Sequence, residues 1–380
     1  METTKIFITH MHGDHILGLP SLLLQVGTYY MIGRQEHDQE VHPIHIYGPP
    51  GLHHYLCTVL RMTETHIQRT IFVHEMLLRD DDVARMGDSC MWRRDWERFN
   101  HGALYRTHAR HNYSYPSIQR VPVLSDEKGM WNIVRDDGLS VSAGLISHKI
   151  PCFGFVVKEH DVAGKLLPEE CDRLQVAGQD RLLLKCGHDV ITAQGTRVTY
   201  NDVCLPPSPG RKVTILGDTD NPYLMQNASM GCDVLLHECS FDDHKRANAL
   251  RSGHSTPSMA IAVARAFEAK RVILNHVGSQ YVPVNILSTA QQSAAPDFGT
   301  DCDLEDQARE AFGLRAKHVH IARDFETVSV PVGGFSVDDN FFTSFDDARE
   351  NGRFRGGPRK SPRAGGHAGQ RRGSTPGVKL

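Results

Sequence analysis

The sequence predicts an α/β fold in which helices pack outside β-sheets. Short apolar segments typical of strands alternate along the chain with longer segments that carry an apolar helical face. Several of these strands run directly into a histidine or a carboxylate. With 380 residues, of which 40% are hydrophobic and 23% charged, the chain can bury a sizeable core, and no apolar run is long enough to span a bilayer.

The predicted elements follow one another from the start of the chain. Strands are expected at residues 4–9, 44–47, 139–146, 153–158, 212–216, 233–236, 271–274, 318–322 and 326–332. Helices are expected at residues 16–24, 52–62, 257–269 and 304–312. Ser255 or Thr256 is expected to cap the third of these helices, with Pro257 in its first turn. Residues 76–130 show too little periodicity to be placed.

Two segments stand apart from this alternation. Residues 159–209 are polar, with strand candidates only at 181–185 and 196–200, and are predicted to form an insertion. Residues 336–380 are predicted to be a disordered tail rich in Gly and Arg. The formal charge of −3 divides into +8 for residues 351–380 and −11 for residues 1–350. The acidic body excludes a broad nucleic-acid-binding face, and the tail is either an RNA-binding segment or a solvated end.

The nine cysteines are scattered and odd in number, which indicates reduced thiols rather than a disulfide framework. The N-terminus shows no signal-peptide pattern. We therefore expect a protein of the cytosol, the nucleus or both.

Metal-capable residues follow four of the predicted strands. KIFIT leads to His10, KVTILG to Asp218, DVLL to His237 and Glu238, and RVILN to His276. Strand ends that meet at one edge of a sheet can present several ligands to one point. In the run His10-Met-His12-Gly-Asp14-His15, two imidazoles can bind one metal while the following carboxylate and histidine reach a second.

Other candidates are weaker when each is considered alone. His148 and His276 are individually compatible with ordinary core or surface histidines, and Asp218 with a turn at a strand end. His254 could simply precede a helix cap. Their joint occurrence in this order is what favours a metal site.

These stretches resemble the metallo-β-lactamase superfamily and, within it, the short form of tRNase Z, a zinc phosphodiesterase. In order they are TKIFITHMHGDHILGLPSLL, IHIYGPPGL, SHKIPCFGFVVKE, GRKVTILGDT, DVLLHECSFDD, GHSTPSMA and RVILNHVGSQY, within residues 3–282. The resemblance implies an αββα sandwich as the catalytic domain over residues 1–335, with an arm-like insertion at about 159–209. It also implies a homodimer in which one subunit's arm serves the other's site.

The resemblance further implies two Zn²⁺ per subunit and cleavage of the 3′ trailer from precursor tRNA by a metal-activated hydroxide, leaving a tRNA 3′-hydroxyl. The residues matching the family's metal ligands and catalytic groups are His10, His12 and His148 on one zinc, Asp14, His15 and His276 on the other, Asp218 as the bridge, His254 as the proton donor and Glu238 as its orienting partner. Asp14 is counted among the catalytic residues as well as the ligands. Manganese or iron could also occupy a site of this kind.

The sequence departs from the family pattern in three places. The family's outer N-terminal strands have no counterpart before Met1, so the first strand is expected at a sheet edge. The Gly-Pro-rich element of the arm is replaced by LQVAGQDRLLLKCG, and Gln280 stands where the family usually has an arginine. Two other functions stay open: a hydrolase of the same fold acting on another substrate such as a thioester, and an inactive paralogue that binds RNA without turnover.

Overall fold

A computed structural model describes residues 3–32, 42–87, 92, 115–136, 138–281 and 299–331. The strands are β1 Lys5–Phe7, β2 Ile44–Gly48, β3 Ile71–Met76, β4 Ile118–Val123, β5 Met130–Arg135, β6 Leu139–Ile146, β7 Cys152–Glu159, β8 Val190–Ile191, β9 Arg197–Val198, β10 Lys212–Ile215, β11 Val234–Glu238, β12 Arg271–Asn275 and β13 Val319–Ile321. The helices are α1 Gly13–Ile16, α2 Leu19–Ile32, α3 Leu52–Met62, α4 Asp80–Arg85, α5 Pro168–Arg173, α6 Gly178–Lys185, α7 Tyr200–Val203, α8 Gln226–Ser229, α9 Arg246–Ser252, α10 Pro257–Ala266 and α11 Asp301–Phe312.

Two large sheets form the framework. The first has the order β1-β2-β3-β4, and its strands are all parallel. The second has the order β13-β12-β11-β10-β7-β6-β5, in which β10 to β13 are parallel and β5, β6 and β7 are antiparallel to their neighbours. Strand β1 lies at one edge of the first sheet, as the sequence predicted.

Three apolar clusters show how the layers stack. Tyr47 and Met76 of the first sheet share one cluster with Trp131, Phe153 and Phe155 of the second, so the two sheets pack face to face. The outer face of the first sheet packs against α2 and α3. The outer face of the second sheet packs against α10 and α11. The order of layers is therefore helix, sheet, sheet, helix, which confirms the predicted αββα sandwich.

The topology places the ends of four strands at one edge of the sandwich. Strands β10, β11 and β12 are parallel neighbours, with Glu238 opposite Asn275, so the residues that follow them emerge together. The segment after β1 crosses to the second sheet, where the Phe153 amide donates to the Thr9 carbonyl at 2.9 Å. That hydrogen bond brings His10 from the first sheet to the strand ends of the second.

The structure corrects three sequence-based assignments. Residues 181–185 are helical, as part of α6, because their apolar run buries Leu184 in a small core of the insertion that also holds Cys171 and Val203. Only Arg197–Val198 is a strand within 196–200, since α7 already begins at Tyr200. Residues 326–331 form no strand: Val328 and Val330 pack on the second sheet without joining its hydrogen-bond ladder.

The segment left unplaced at residues 76–130 contains the end of β3, α4 and β4, and β5 begins at its last residue, Met130. The predicted disordered tail lies outside the described residues. Within the described ranges, no helix is long and apolar enough to cross a membrane.

Candidate metal centre

The structure brings the predicted ligands together in two overlapping groups. One contains His10, His12, His148 and Asp218, and the other contains Asp14, His15, Asp218 and His276; the ligand atoms within each group lie within 4.8 Å of one another. A third group, which adjoins them, consists of Glu238, His254 and His276. Together the three groups contain each of the site residues named in the sequence analysis.

The first group is built on three imidazoles. His12 Nδ1 lies 3.0 Å from His10 Nε2 and 3.0 Å from His148 Nε2. His148 Nδ1 donates to the Gly253 carbonyl at 2.7 Å, and a neutral imidazole has only one N–H. His148 Nε2 therefore presents a lone pair to the other two rings. These spacings are close to the roughly 3.3 Å between ligand nitrogens of a tetrahedral site with bonds of about 2.0–2.1 Å.

The second group combines two imidazoles with a carboxylate. His276 Nε2 lies 3.3 Å from His15 Nε2 and 3.2 Å from Asp14 Oδ2. The Ser240 hydroxyl donates to the His276 carbonyl at 3.0 Å, so it accepts from His276 Nδ1 at 2.9 Å. The Nε2 lone pair of His276 therefore faces His15 and Asp14. His276 also has a φ of +49°, a strained conformation for a residue with a side chain, which the surrounding contacts maintain.

Asp218 joins the two groups through one oxygen atom. Its Oδ2 lies 3.6 Å from His10 Nε2 and 3.9 Å from His148 Nε2 on one side. On the other side it lies 3.4 Å from His15 Nε2 and 3.3 Å from His276 Nε2. The carboxylate is 3% exposed, so water contributes little to stabilising its charge. One buried oxygen is thus placed between both sets of ring nitrogens.

Burial and neighbouring charges determine the protonation of these residues. Burial and the nearby histidines lower the pKa of His10 to about 3, and burial lowers the pKa of His148 to about 4. Burial alone would raise the pKa of Asp218, but the hydrogen bond from His15 and the charges of His276, His10 and His15 hold it well below its usual range. The rings of His10 and His148 are therefore uncharged at neutral pH, and each keeps one nitrogen lone pair for a metal ion.

These donors fit a metal ion. Imidazole nitrogens and carboxylate oxygens are the ligands that zinc accepts, and in each group they converge within 4.8 Å of one another. The structure thus supports metal binding by these residues.

Glu238 and His254 form a hydrogen-bonded pair beside the two groups. His254 Nδ1 donates to Glu238 Oε1 at 2.9 Å, and the same oxygen accepts from the Ser255 and Thr219 amides at 3.0 and 3.2 Å. The Ser240 amide donates to Glu238 Oε2 at 2.9 Å. These hydrogen bonds fix the carboxylate, and the carboxylate fixes the imidazole. Burial alone would lower the pKa of His254, but the hydrogen bond and charge of Glu238 raise it above its usual value.

Three supporting groups were missed by the sequence reasoning. They are the Ser240 hydroxyl, the Gly253 carbonyl, and the Thr9 hydroxyl, which lies 3.0 Å from His10 Nδ1. Each contacts the ring nitrogen of a histidine that faces away from the centre. Ser240 follows Glu238 by two residues in HECS, which is a sequence signal for one of the three.

Two other residues differ from their expected roles. His237 precedes Glu238 on β11, but its side chain is fully buried away from the centre, and its Nε2 has no hydrogen-bond partner among the described residues. Thr256 is at the N-cap position of α10, as predicted, but its hydroxyl makes no capping hydrogen bond. Instead, the Ser255 hydroxyl donates to the Thr219 carbonyl at 2.6 Å and ties the His254 loop to the loop after Asp218.

Comparison with known proteins finds similar proteins named zinc phosphodiesterase or ribonuclease Z. The chain is 34% identical to mouse zinc phosphodiesterase ELAC protein 1 over 337 residues, which cover 87% of this chain and 84% of the mouse protein. It is 32% identical to the human protein of that name over 338 residues, with the same coverage. It is 27% identical to ribonuclease Z of Streptococcus gordonii over 333 residues, which cover 87% of this chain and 82% of that protein.

Among solved structures, human tRNase Z, short form, matches at 24% identity with a TM-score of 0.48, over 87% of this chain and 80% of that one. No family model matches the chain.

Replacing the shared carboxylate should weaken both groups at once. In Asp218→Asn the charge between the ring nitrogens is lost, and we expect the apparent affinity for zinc to fall by about tenfold or more. The measurement is competition between the protein and a chromogenic chelator. Asp220→Asn is the matched control, because Asp220 lies in the same loop but outside both groups, and it should retain the wild-type affinity. Equal losses in the two variants would contradict the placement of Asp218.

Proposed function

The chain belongs to the tRNase Z family, as does zinc phosphodiesterase ELAC protein 1, and from this we propose its function. We propose that it is a zinc-dependent endoribonuclease that removes the 3′ trailer from precursor tRNA. The observation that carries this proposal is the position of Asp218 Oδ2, within 3.9 Å of ring nitrogens from both groups. A carboxylate shared by two metal sites would hold two metal ions side by side. Two adjacent ions are suited to in-line displacement at phosphorus.

The proposed centre holds two Zn²⁺ per subunit. His10, His12 and His148 would bind one ion, Asp14, His15 and His276 the other, and Asp218 both. Zinc bound there would supply Lewis acidity to the scissile phosphate and lower the pKa of a water molecule. Asp14 is the most accessible of these ligands, with 64% of its side chain exposed, so its carboxylate would also contact the substrate and the attacking water.

His254 would supply the proton for the leaving oxygen. Because its Nδ1–H is held by Glu238, the proton for transfer is carried on Nε2. The raised pKa of His254 keeps part of the population protonated near neutral pH. Transfer of this proton to the departing 3′-oxygen yields a 3′-hydroxyl on the tRNA and leaves a 5′-phosphate on the trailer. Glu238 acts through His254 and is a positioning residue.

The remaining parts of the proposal concern assembly and location. We propose a homodimer in which the insertion at 159–209 of one subunit contacts the tRNA bound to the other. The small separate core of this insertion, around Cys171, Leu184 and Val203, supports a distinct substructure. We also propose a cytosolic or nuclear location, in keeping with the free thiols of the cysteines in the described ranges.

The direct test of function is incubation of the purified protein with a precursor tRNA that carries a labelled 3′ trailer. We expect one cut at the 3′ end of the tRNA body, a 3′-hydroxyl on the product, and loss of cleavage after treatment with a chelator. Addition of zinc should restore activity. Absence of cleavage by the zinc-loaded protein would contradict the proposal, and hydrolysis of a thioester in its place would assign the centre to another substrate.

Substitution of His254 should separate proton donation from metal binding. In His254→Ala we expect precursor tRNA cleavage to fall by about 10²–10⁴-fold, because the 3′-oxygen leaves without a proton. Bis-p-nitrophenyl phosphate has a leaving group that departs unprotonated, so its hydrolysis should fall far less. Zinc content, measured by mass spectrometry, should stay at the wild-type level. Equal losses on both substrates would exclude His254 as the proton donor.

A further inference from the structure

A second concave site lies at the opposite end of the second sheet. It is a cleft of about 660 Å³ between the C-terminal end of α10, the start of β12 and the segment after α11. Its lining residues are Arg265, Glu268, Lys270, Arg271, Phe312, Gly313, Leu314, Arg315 and His318. The volume is within the roughly 300–1,000 Å³ range of small-molecule sites.

The net charge of the residues that line the cleft is positive, whereas residues 1–350 as a whole are acidic. Four of the nine lining residues are Arg or Lys, and one is acidic. Residues 1–350 as a whole carry a formal charge of −11, so this concentration of cations is not the general character of the surface. A cleft whose lining carries a net positive charge attracts anions.

The four cations are held differently. Lys270 Nζ donates to Asp233 Oδ1 at 2.8 Å, and Arg265 Nη2 donates to the Ala311 carbonyl at 2.6 Å. Arg271 is 1% exposed at the start of β12, with its Nη1 on the Lys270 carbonyl at 2.9 Å. Arg315 is exposed and makes no ion pair with any residue that the structure describes. The buried guanidinium of Arg271 and the exposed guanidinium of Arg315 therefore line the same cleft, an arrangement suited to phosphate oxygens.

A buried histidine supplies an independent observation. His318 is only 4% exposed, and its Nδ1 has no hydrogen-bond partner among the described residues. Burial, together with the charges of Arg271, Lys317 and Arg315, lowers the pKa of His318 to about 4. A buried polar atom without a partner is unfavourable, and a ligand that forms a hydrogen bond to it removes this cost.

We propose that this cleft binds a phosphorylated nucleoside, with the phosphates between Arg271 and Arg315 and a hydrogen bond to His318. The nucleoside would lie towards Leu314 and Phe312, which provide the apolar part of the lining. Leu314 is fully exposed, so a base packed on it would remove apolar surface from water. Glu268 also lines the cleft, and its carboxylate would accept hydrogen bonds from a sugar hydroxyl.

The cleft is separate from the metal centre. Strand β12 begins at Arg271 in the cleft and ends at Asn275, next to His276 of the centre. At about 3.3 Å per residue, the five steps from Arg271 to His276 span about 16 Å. A ligand in the cleft therefore does not occupy the catalytic centre. It contacts the opposite ends of the strands that carry the metal ligands.

Calorimetric titration of the zinc-loaded full-length protein tests this site, with ADP, inorganic phosphate and adenosine as probes. We expect ADP to bind, phosphate to bind more weakly and adenosine to bind least. In Arg315→Glu, which alters an exposed side chain, ADP affinity should fall by about tenfold or more while precursor tRNA cleavage is unchanged. Arg309→Ala on α11 is the matched control, because it removes a positive charge outside the lining and should keep ADP binding.

His318→Asn is a second variant, which changes the interior of the cleft. We expect it to weaken ADP binding as well. Circular dichroism would check that this variant is folded. Three results would overturn the proposal: no ADP binding to the wild type, equal binding of adenosine and ADP, or unchanged ADP affinity in Arg315→Glu. Phosphate that binds as tightly as ADP would exclude the nucleoside contacts. Displacement of ADP by precursor tRNA would assign the phosphate contacts to the substrate backbone instead.

Discussion

The centre of this protein depends on one buried carboxylate oxygen placed among several imidazoles. Asp218 Oδ2 lies between the two sets of ring nitrogens, and no other residue belongs to both groups as the structure describes them. Its negative charge would offset the repulsion between the two adjacent cations proposed here, because like charges at a few ångströms repel strongly in a site of low polarity. The rings that face this oxygen are fixed by hydrogen bonds with the Thr9 hydroxyl, the Gly253 carbonyl and the Ser240 hydroxyl.

The ligands could be predicted from the sequence because their positions follow from strand topology. Asp218, Glu238 and His276 each lie at or just after the end of a parallel strand, and parallel neighbours end at the same edge of a sheet. His10 comes from the other sheet, and its apolar strand gave the same signal. The αββα layering followed from the alternation of strands and helices together with the family resemblance.

Other features could not be read from the chain because they depend on tertiary contacts. Gly253 is 105 residues from His148, and nothing in its sequence context marks its carbonyl as a hydrogen-bond acceptor. The apolar stretch at residues 181–185 fits a short strand and a helix equally well. The structure has a helix there, which packs Leu184 into the core of the insertion. The cations of the cleft come from two stretches that are separated in the sequence: Arg265, Lys270 and Arg271 around the end of α10 and the start of β12, and Arg315 after α11.

The most direct test of the shared carboxylate is anomalous X-ray scattering from a crystal of the zinc-loaded protein, recorded on both sides of the zinc absorption edge. Two peaks about 3.5–4 Å apart, one on each side of Asp218 Oδ2, are the expected result. One peak alone within the His10, His12 and His148 group, or two peaks that do not share Asp218 as a ligand, would contradict it.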